Sequence, residues 1–440
     1  MKKPTPWAYI PTLYLAEGFP YIVINVVSVL LYADLGLKND TIAFWTGWLY
    51  LPWILKMFWS PFVDTNGTKR RWLLSAQAVL GGVFLFIAAL LVLQTFLATQ
   101  DTGNQTFLTL SLFGFLFGAF ASATLDIATD GYYLLALTPE EQSYFVGIRT
   151  IFYRLAMILG SGILVSAVGA LEKYGFIQPL NWVMFFAFLG ILFLVFAVVH
   201  STLLPKPAQD KPVELPQQAA WKDAFKTYFT QKNIVYILLF ILLYRFGEAL
   251  LEKIVPLFLV QPTDEGALGL SKVVYGYIKG TLGLGAIIGG NLAGGWLLGK
   301  FGFKKCIWPF AIALVLPNFF YVYLAMAKPS VPVIAALITL ENFGYGLAMM
   351  ALTVFIMYVS QGKYKTSHYA ISTGIMALGM MVPSMLSGKM QVALGYEQFF
   401  WVTCLISLIT FLIVPLAFKI DTLDETERNF HGQKNKTDNA

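Results

Sequence analysis

Stretches of about twenty predominantly apolar residues, each long enough as a helix to cross a hydrocarbon core of ~30 Å, recur along nearly the whole chain. Twelve can be delimited, numbered here as spans one to twelve: 7 to 33, 41 to 60, 72 to 97, 107 to 137, 143 to 170, 180 to 204, 233 to 260, 273 to 298, 306 to 327, 331 to 359, 369 to 395 and 399 to 418. Composition agrees, because 58% hydrophobic residues, 12% charged residues and a mean hydropathy of +0.68 lie outside the range of soluble domains. The expected fold class is therefore an all-α membrane protein with twelve transmembrane helices.

Only "MKKPTP" stands before span one, and that run is too long for a signal-peptide core, so the first helix is expected to stay in the mature protein. Placing both termini in the cytoplasm puts nineteen of the thirty basic residues on that side, against Lys38, Lys173, Lys272 and Lys328 on the other. The positive-inside rule then fixes the orientation, and the basic pI needs no nucleic-acid partner. Cys306 and Cys404 lie in or beside apolar helices without CxxC spacing, which gives no reason to expect a disulfide or a metal.

The apolar pattern is interrupted once, at a proline-rich polar stretch beginning "LPKPAQDKPVELPQQAA". We delimit a six-helix bundle over 1–204, a cytoplasmic linker over 205–232, a second six-helix bundle over 233–418 and a disordered cytoplasmic tail over 419–440. Within the linker, Trp221, Phe225 and Phe229 recur at helical spacing with lysines between them, the pattern of an amphipathic helix lying along the membrane surface.

The halves repeat. "DLGLKNDTIAFWTG" at 34 parallels "ALGLSKVVYGYIKG" at 267, and "DTNGTKR" from Asp64 parallels "GKFGFKK" from Gly299, with Gly67 falling on Gly302 and Lys69 on Lys304. "LYLAEG" in span one is echoed by "LYRFGEA" in span seven, setting Glu17 near Glu248. Two six-helix halves repeated in parallel resemble the major facilitator carriers, which bind substrate between the halves near the bilayer midplane. Spans three, six, nine and twelve carry no Asp, Glu, Lys or Arg in their apolar stretches, and these are the peripheral helices of that fold. The remaining charges sit elsewhere: Glu17, Asp126, Asp130, Arg149, Arg154, Arg245, Glu248, Glu252, Lys253, Lys279, Glu341 and Lys389, with Lys56 nearer the cytoplasmic end of span two. A charge facing lipid costs at least about 2.5 to 3.5 kcal/mol, so these groups are expected to face a cavity or one another.

Spans four and five form a hairpin around "TPEEQ", and distance from that turn measures depth. Asp130 and Arg149 lie about 13 to 15 Å from it, Asp126 and Arg154 about 21 Å. Each aspartate thus has an arginine at its own level, and Asp126 and Asp130 share a helix face. A carboxylate desolvated in a cavity and exposed to partner exchange is a candidate proton carrier, so Asp126 and Asp130, with Glu17 and Glu341 in reserve, are expected to carry coupling. Arg149, Arg154, Arg245, Glu248, Glu252, Lys279 and Lys389 are the candidate substrate contacts. Asp64, Gly67, Lys69 and Arg70 are expected to form a conformational latch, with glycine allowing the tight turn. Acids and bases in the membrane balance, which points to a polar or zwitterionic cargo; the tyrosines could stack on sugar rings.

"LPWILKMFWSPFVD" at 51 to 64 resembles the K-F-x-W-[AS]-P-x-x-D signature of muropeptide permeases of the AmpG type, "LDIATDGY" resembles their D-I-A-x-D stretch in helix four, and "LYLAEGFPY" their first helix. The resemblance implies proton-driven import of anhydro-muropeptides, a glycopeptide cargo, across the bacterial inner membrane; a monomer with no cofactor beyond the proton gradient is expected. It also implies that Asp126 and Asp130 are functionally important. Leu125 stands where that family often has glutamine, Thr65 replaces the arginine expected after Asp64, and Gly299 replaces the second copy's aspartate. Acetyl-coenzyme A, whose transporters share this branch, or a siderophore remains an alternative cargo, and a sensor without transport an alternative class. An enzyme is not expected: His200, His368 and His431 show no HExxH or ligand spacing.

Overall fold

The computed structural model describes residues 4–97, 102–176, 178–212, 217–360 and 365–420. The tail from residue 421, expected to be disordered, lies outside the described residues, as does the 213–216 part of the linker. Among the described residues ten helical stretches are long and apolar enough to cross a membrane, from Pro6–Asp34 to Ser367–Ala417. They do not match the twelve spans one for one. Ser367–Ala417 covers spans eleven and twelve in a single run of 51 residues, and Gly395 within it has a φ of +73°, a left-handed conformation that turns the chain between two helices. Span two is helical as Asn39–Gly47, Trp48–Tyr50 and Leu51–Thr65 in succession, but its Lys56, Pro52 and polar-edged aromatic residues dilute its apolar character and it is not among the ten.

The chain divides into two compact units. Unit 1 comprises residues 1–215, 259–261 and 269–281. Its core is aromatic: Phe84, Phe115, Phe186 and Phe193 are buried, with ring centres of Phe84 and Phe193 5.5 Å apart and of Phe115 and Phe186 5.7 Å apart. Along span six, Met184, Phe188, Ile191, Val195 and Val198 point outward at helical spacing, as a lipid-facing helix should. The opposite face of that helix buries His200, which meets Thr12 Oγ1 at 2.9 Å and Gln77 Oε1 at 3.0 Å, tying spans one, three and six by neutral polar contacts.

Unit 2 comprises residues 216–258, 262–268 and 282–440. Spans seven, nine, ten and twelve pack around Phe240, Tyr244, Phe303, Phe310 and Phe355, with the rings of Phe240 and Phe355 stacked at 4.1 Å. Spans eight and ten touch backbone to backbone, for a Cβ at Gly290 would overlap Phe343 O and one at Gly346 would overlap Ile287 O. The linker helix Gln217–Phe229 buries Ala224 and Tyr228 against the start of span eleven, where the Tyr228 hydroxyl meets Ser372 Oγ at 2.8 Å and Thr227 Oγ1 meets His368 Nε2 at 3.0 Å. Phe225 and Phe229 stack on each other and Phe229 stays exposed, so this helix is seated on protein by one face and leaves aromatic surface on another.

Candidate functional site

Six charged side chains from spans one, two, four and five meet in unit 1, each placed by its own helix. Glu17 lies on Ile10–Ile22, and its neighbour Gly18 presses against span five where a Cβ would meet the Ala156 side chain at 2.8 Å and crowd the Tyr153 backbone. Asp126 and Asp130 sit one turn apart on Thr102–Ala136. Arg149 and Arg154 lie on Pro139–Ile158, whose start is fixed by a capping box: the Thr138 hydroxyl accepts from the Glu141 N–H, and the Glu141 carboxylate accepts from the Thr138 N–H. Lys56 comes from Leu51–Thr65.

The outer pair forms as depth implied. Arg149 Nη1 donates to Asp130 Oδ1 at 3.0 Å and to the Tyr14 hydroxyl at 3.1 Å, and that hydroxyl donates to the same Asp130 oxygen at 2.9 Å. The guanidinium lies 5.4 Å from the Tyr14 ring centre and 4.9 Å from that of Tyr133, so two aromatic faces add to its hold. The inner level brings in a further cation, since Asp126 forms an ion pair with Lys56 of span two. Depth along a hairpin says nothing of azimuth: the face that Asp126 shares with Asp130 includes span two, and a lysine stem there is long enough to reach inward. Arg154 stays in the cluster, surrounding the Tyr153 hydroxyl together with Tyr21, Glu17 and Asp126. Glu17 is buried within hydrogen-bonding reach of Asp126, with Asp130 and Lys56 as its other charged neighbours. Beside them the half-buried rings of Tyr21 and Trp53 meet edge to face at 5.3 Å. Three carboxyl groups facing three cations can exchange partners with a zwitterionic guest and pass a proton among the acids.

Most of the remaining candidates belong to unit 2. In unit 2, Arg245 and Glu248 are buried and Glu252 half-buried on span seven; Arg245 donates to the Tyr345 hydroxyl and stands 4.9 Å from that ring's centre. The fully buried Lys253 has Glu252 as its charged neighbour. Glu341 accepts from the Tyr321 hydroxyl at 3.0 Å and from Asn342 Nδ2 at 2.8 Å, so span nine holds it. Lys279 is half-buried in the part of span eight that belongs to unit 1, and Lys389 is exposed on span eleven.

At the proposed latch, Gly67 has a φ of +136°, while the side chain of Asp64 lies outside the described residues. Lys69 and Arg70 engage a different acid, Asp210 from the linker, whose carboxylate accepts from the Lys69 N–H at 2.6 Å and the Arg70 N–H at 3.0 Å and so caps the start of Lys69–Leu97. Arg70 also donates to the carbonyls of Ser201 and, at 3.2 Å, Leu204. Sequence reasoning missed Asp210, which carries no motif, and set Lys56 aside although it opens the signature "KMFWSPFVD". Among the described residues no group of His, Cys, Asp and Glu is placed to hold a metal.

Comparison with known proteins accords with this architecture. A Rickettsia felis protein named as an AmpG-type transporter is 27% identical over 384 residues, covering 84% of this chain and 87% of its own. The anhydromuropeptide permease of Escherichia coli K12 is 26% identical over 353 residues, covering 79% and 67%. Among solved structures, an inward-facing bacterial homologue of the human lysosomal transporter Spinster superposes with a TM-score of 0.73 at 14% identity over 96% of this chain and 97% of that one. A D-xylose–proton symporter gives 0.70 at 13% identity over 93% and 96%. The sequence profile of the Major Facilitator Superfamily matches residues 12–367 and 243–437, and this chain, a multi-pass membrane transporter and not an enzyme, belongs to that superfamily.

Proposed function

We propose that the protein is a proton-driven importer of anhydro-muropeptides in the bacterial cytoplasmic membrane, working as a monomer by alternating access with its basic loops on the cytoplasmic side. The observation that carries this reading is the cluster of Glu17, Asp126 and Asp130 against Lys56, Arg149 and Arg154. Glu17 stands within hydrogen-bonding reach of Asp126, so a proton taken up by one of these acids can pass to the other. A cargo carboxylate that takes Lys56 leaves Asp126 without its cation, and the proton then follows the cargo because Asp126 cannot stay charged and unpaired in that setting. Tyr21 and Trp53 offer aromatic faces to a sugar ring beside the charges, which suits a molecule that is part sugar and part peptide. The names of the relatives support the cargo class.

The test is uptake of labelled anhydro-muropeptide into vesicles under an imposed pH gradient, with acetyl-coenzyme A and a siderophore as competitors. Uptake should collapse with the gradient and resist both competitors. Asp126→Asn or Asp130→Asn should lose gradient-driven uptake while keeping gradient-free counterflow. If both variants keep driven uptake intact, the proton site lies elsewhere.

A further inference from the structure

At the end of unit 1 away from its basic loops, a lysine is seated between two acids. Lys272, at the start of span eight, places Nζ 2.7 Å from Asp34 Oδ2 and 2.5 Å from Glu172 Oε1. Asp34 closes span one and Glu172 closes span five. The start of span six completes the seat: Trp182 Nε1 donates to Asp34 Oδ2 at 2.7 Å, and Asn181 Nδ2 donates to Glu172 Oε1 at 2.8 Å. The side chains of Lys272 and Asp34 are only 9% and 12% exposed, which separates this group from an ordinary solvated ion pair.

The backbone around the seat is shaped to close and to part. A Cβ at Gly280 would overlap the backbone of Gly162, and one at Gly169 would meet the Lys272 side chain at 2.8 Å, so spans five and eight touch without side chains between them. Ser166 Oγ donates to Val273 O at 3.3 Å across the same contact. Both helices are wound as wide π turns there, over Leu159–Leu164 and Gly276–Gly283, with a third over Val23–Val27 in span one. Such turns leave the ordinary hydrogen-bond ladder mismatched and are places where a helix can bend or change register. Nearby in unit 1, Asn39 and Gln261 exchange amide hydrogen bonds of 3.1 and 2.8 Å.

We propose that Lys272 is the pin of an outer gate: seated between Asp34 and Glu172 it holds the start of span eight against spans one, five and six, and opening to the outside requires it to leave that seat. The proposal rests on the transporter reading and its orientation, but not on the cargo. It is tested with Ser161→Cys, a buried small residue at the contact of spans five and eight, labelled in right-side-out vesicles by a membrane-impermeant maleimide. Ser161→Cys alone is the parent, and the protein without it, whose Cys306 and Cys404 are buried, serves as the blank. Lys272→Met should speed labelling on the order of tenfold, the effect of losing about 1.4 kcal/mol of closure. Asp34→Asn, which keeps the shape of the seat, and Gly280→Ala, which wedges the helices while sparing the charges, should speed it too, so the proposal stands or falls even where Lys272→Met does not fold. The charge-swapped pair Lys272→Glu with Asp34→Lys should label near the parent rate. Parent-like labelling in the folded single variants, or fast labelling in the swapped pair, overturns the pin. Raised labelling in vesicles that take up no muropeptide refutes the cargo and leaves the pin standing.

Discussion

Lys56→Met is the most informative single change, because it removes the cation that Asp126 uses and leaves the helix of span two otherwise intact. At contact, two unit charges attract with about 5 kcal/mol at an effective dielectric of ~20. The lysine and aspartate side chains are 36% and 22% exposed, so water recovers much of that and the net coupling is on the order of 1–3 kcal/mol. If cargo binds by taking Lys56 from Asp126, that coupling enters the transport cycle and Lys56→Met should weaken cargo binding about 10- to 100-fold. A double-mutant cycle of Lys56→Met, Asp126→Asn and the double variant separates this from damage to the fold, reading cargo affinity by competition and stability by thermal unfolding. The double variant should bind no worse than Lys56→Met alone, since the Lys56–Asp126 ion pair is already gone. Strictly additive losses in affinity, or unchanged driven uptake in Lys56→Met, would falsify the exchange mechanism.

Asp210→Ala removes the acceptor for two N–H groups at the start of span three and should cost about 0.5–2 kcal/mol, read as a lower melting temperature together with slower uptake; an unchanged melting temperature would show that water replaces the cap. Arg245→Met should weaken cargo binding more than it lowers thermal stability, and the reverse order would make Arg245 and Tyr345 a structural pair. Glu341→Gln should leave driven uptake close to normal, because Gln keeps an acceptor for Tyr321 and Asn342; loss of gradient-driven uptake with counterflow intact would move the proton site into unit 2.

The parts of the fold legible in the sequence are those written along a single helix. Apolar length marks the spans, rise per residue gives depth, and the depth of Asp130 and Arg149 does lead to an ion pair. Rotation about the helix axis is not written that way. Arg154 lies at the depth of Asp126, yet Lys56 takes that aspartate from a third helix whose register against the hairpin no pattern in spans four and five reveals. The signal that was present lay in the signature, which begins at Lys56 and ends at Asp64. The outer seat was hidden for another reason: Asp34, Glu172 and Lys272 stand at span ends, where charges are cheap and a count made for topology treats a lysine as a label of side.

Glu341 shows where the rule that intramembrane charges face a cavity needs a second term. Span nine has no Asp, Glu, Lys or Arg in its apolar stretch and reads as one of the peripheral helices. Yet Tyr321 on that helix is buried, stacks at 5.5 Å on Phe400, and turns its hydroxyl to Glu341. A tyrosine is apolar enough to sit in a lipid-facing helix and polar enough at its tip to solvate a carboxyl group from within the protein. Tyr14 does the same for Asp130 from span one, there in company with Arg149. Asp130 has a cation as well, and hydroxyls and amides satisfy a carboxyl group in either protonation state, whereas a guanidinium favours its charge. Asp130 is thus held by a partner that a charged cargo can compete for. An acid deep in a membrane helix should therefore be weighed by the tyrosines facing it as well as by the bases at its depth.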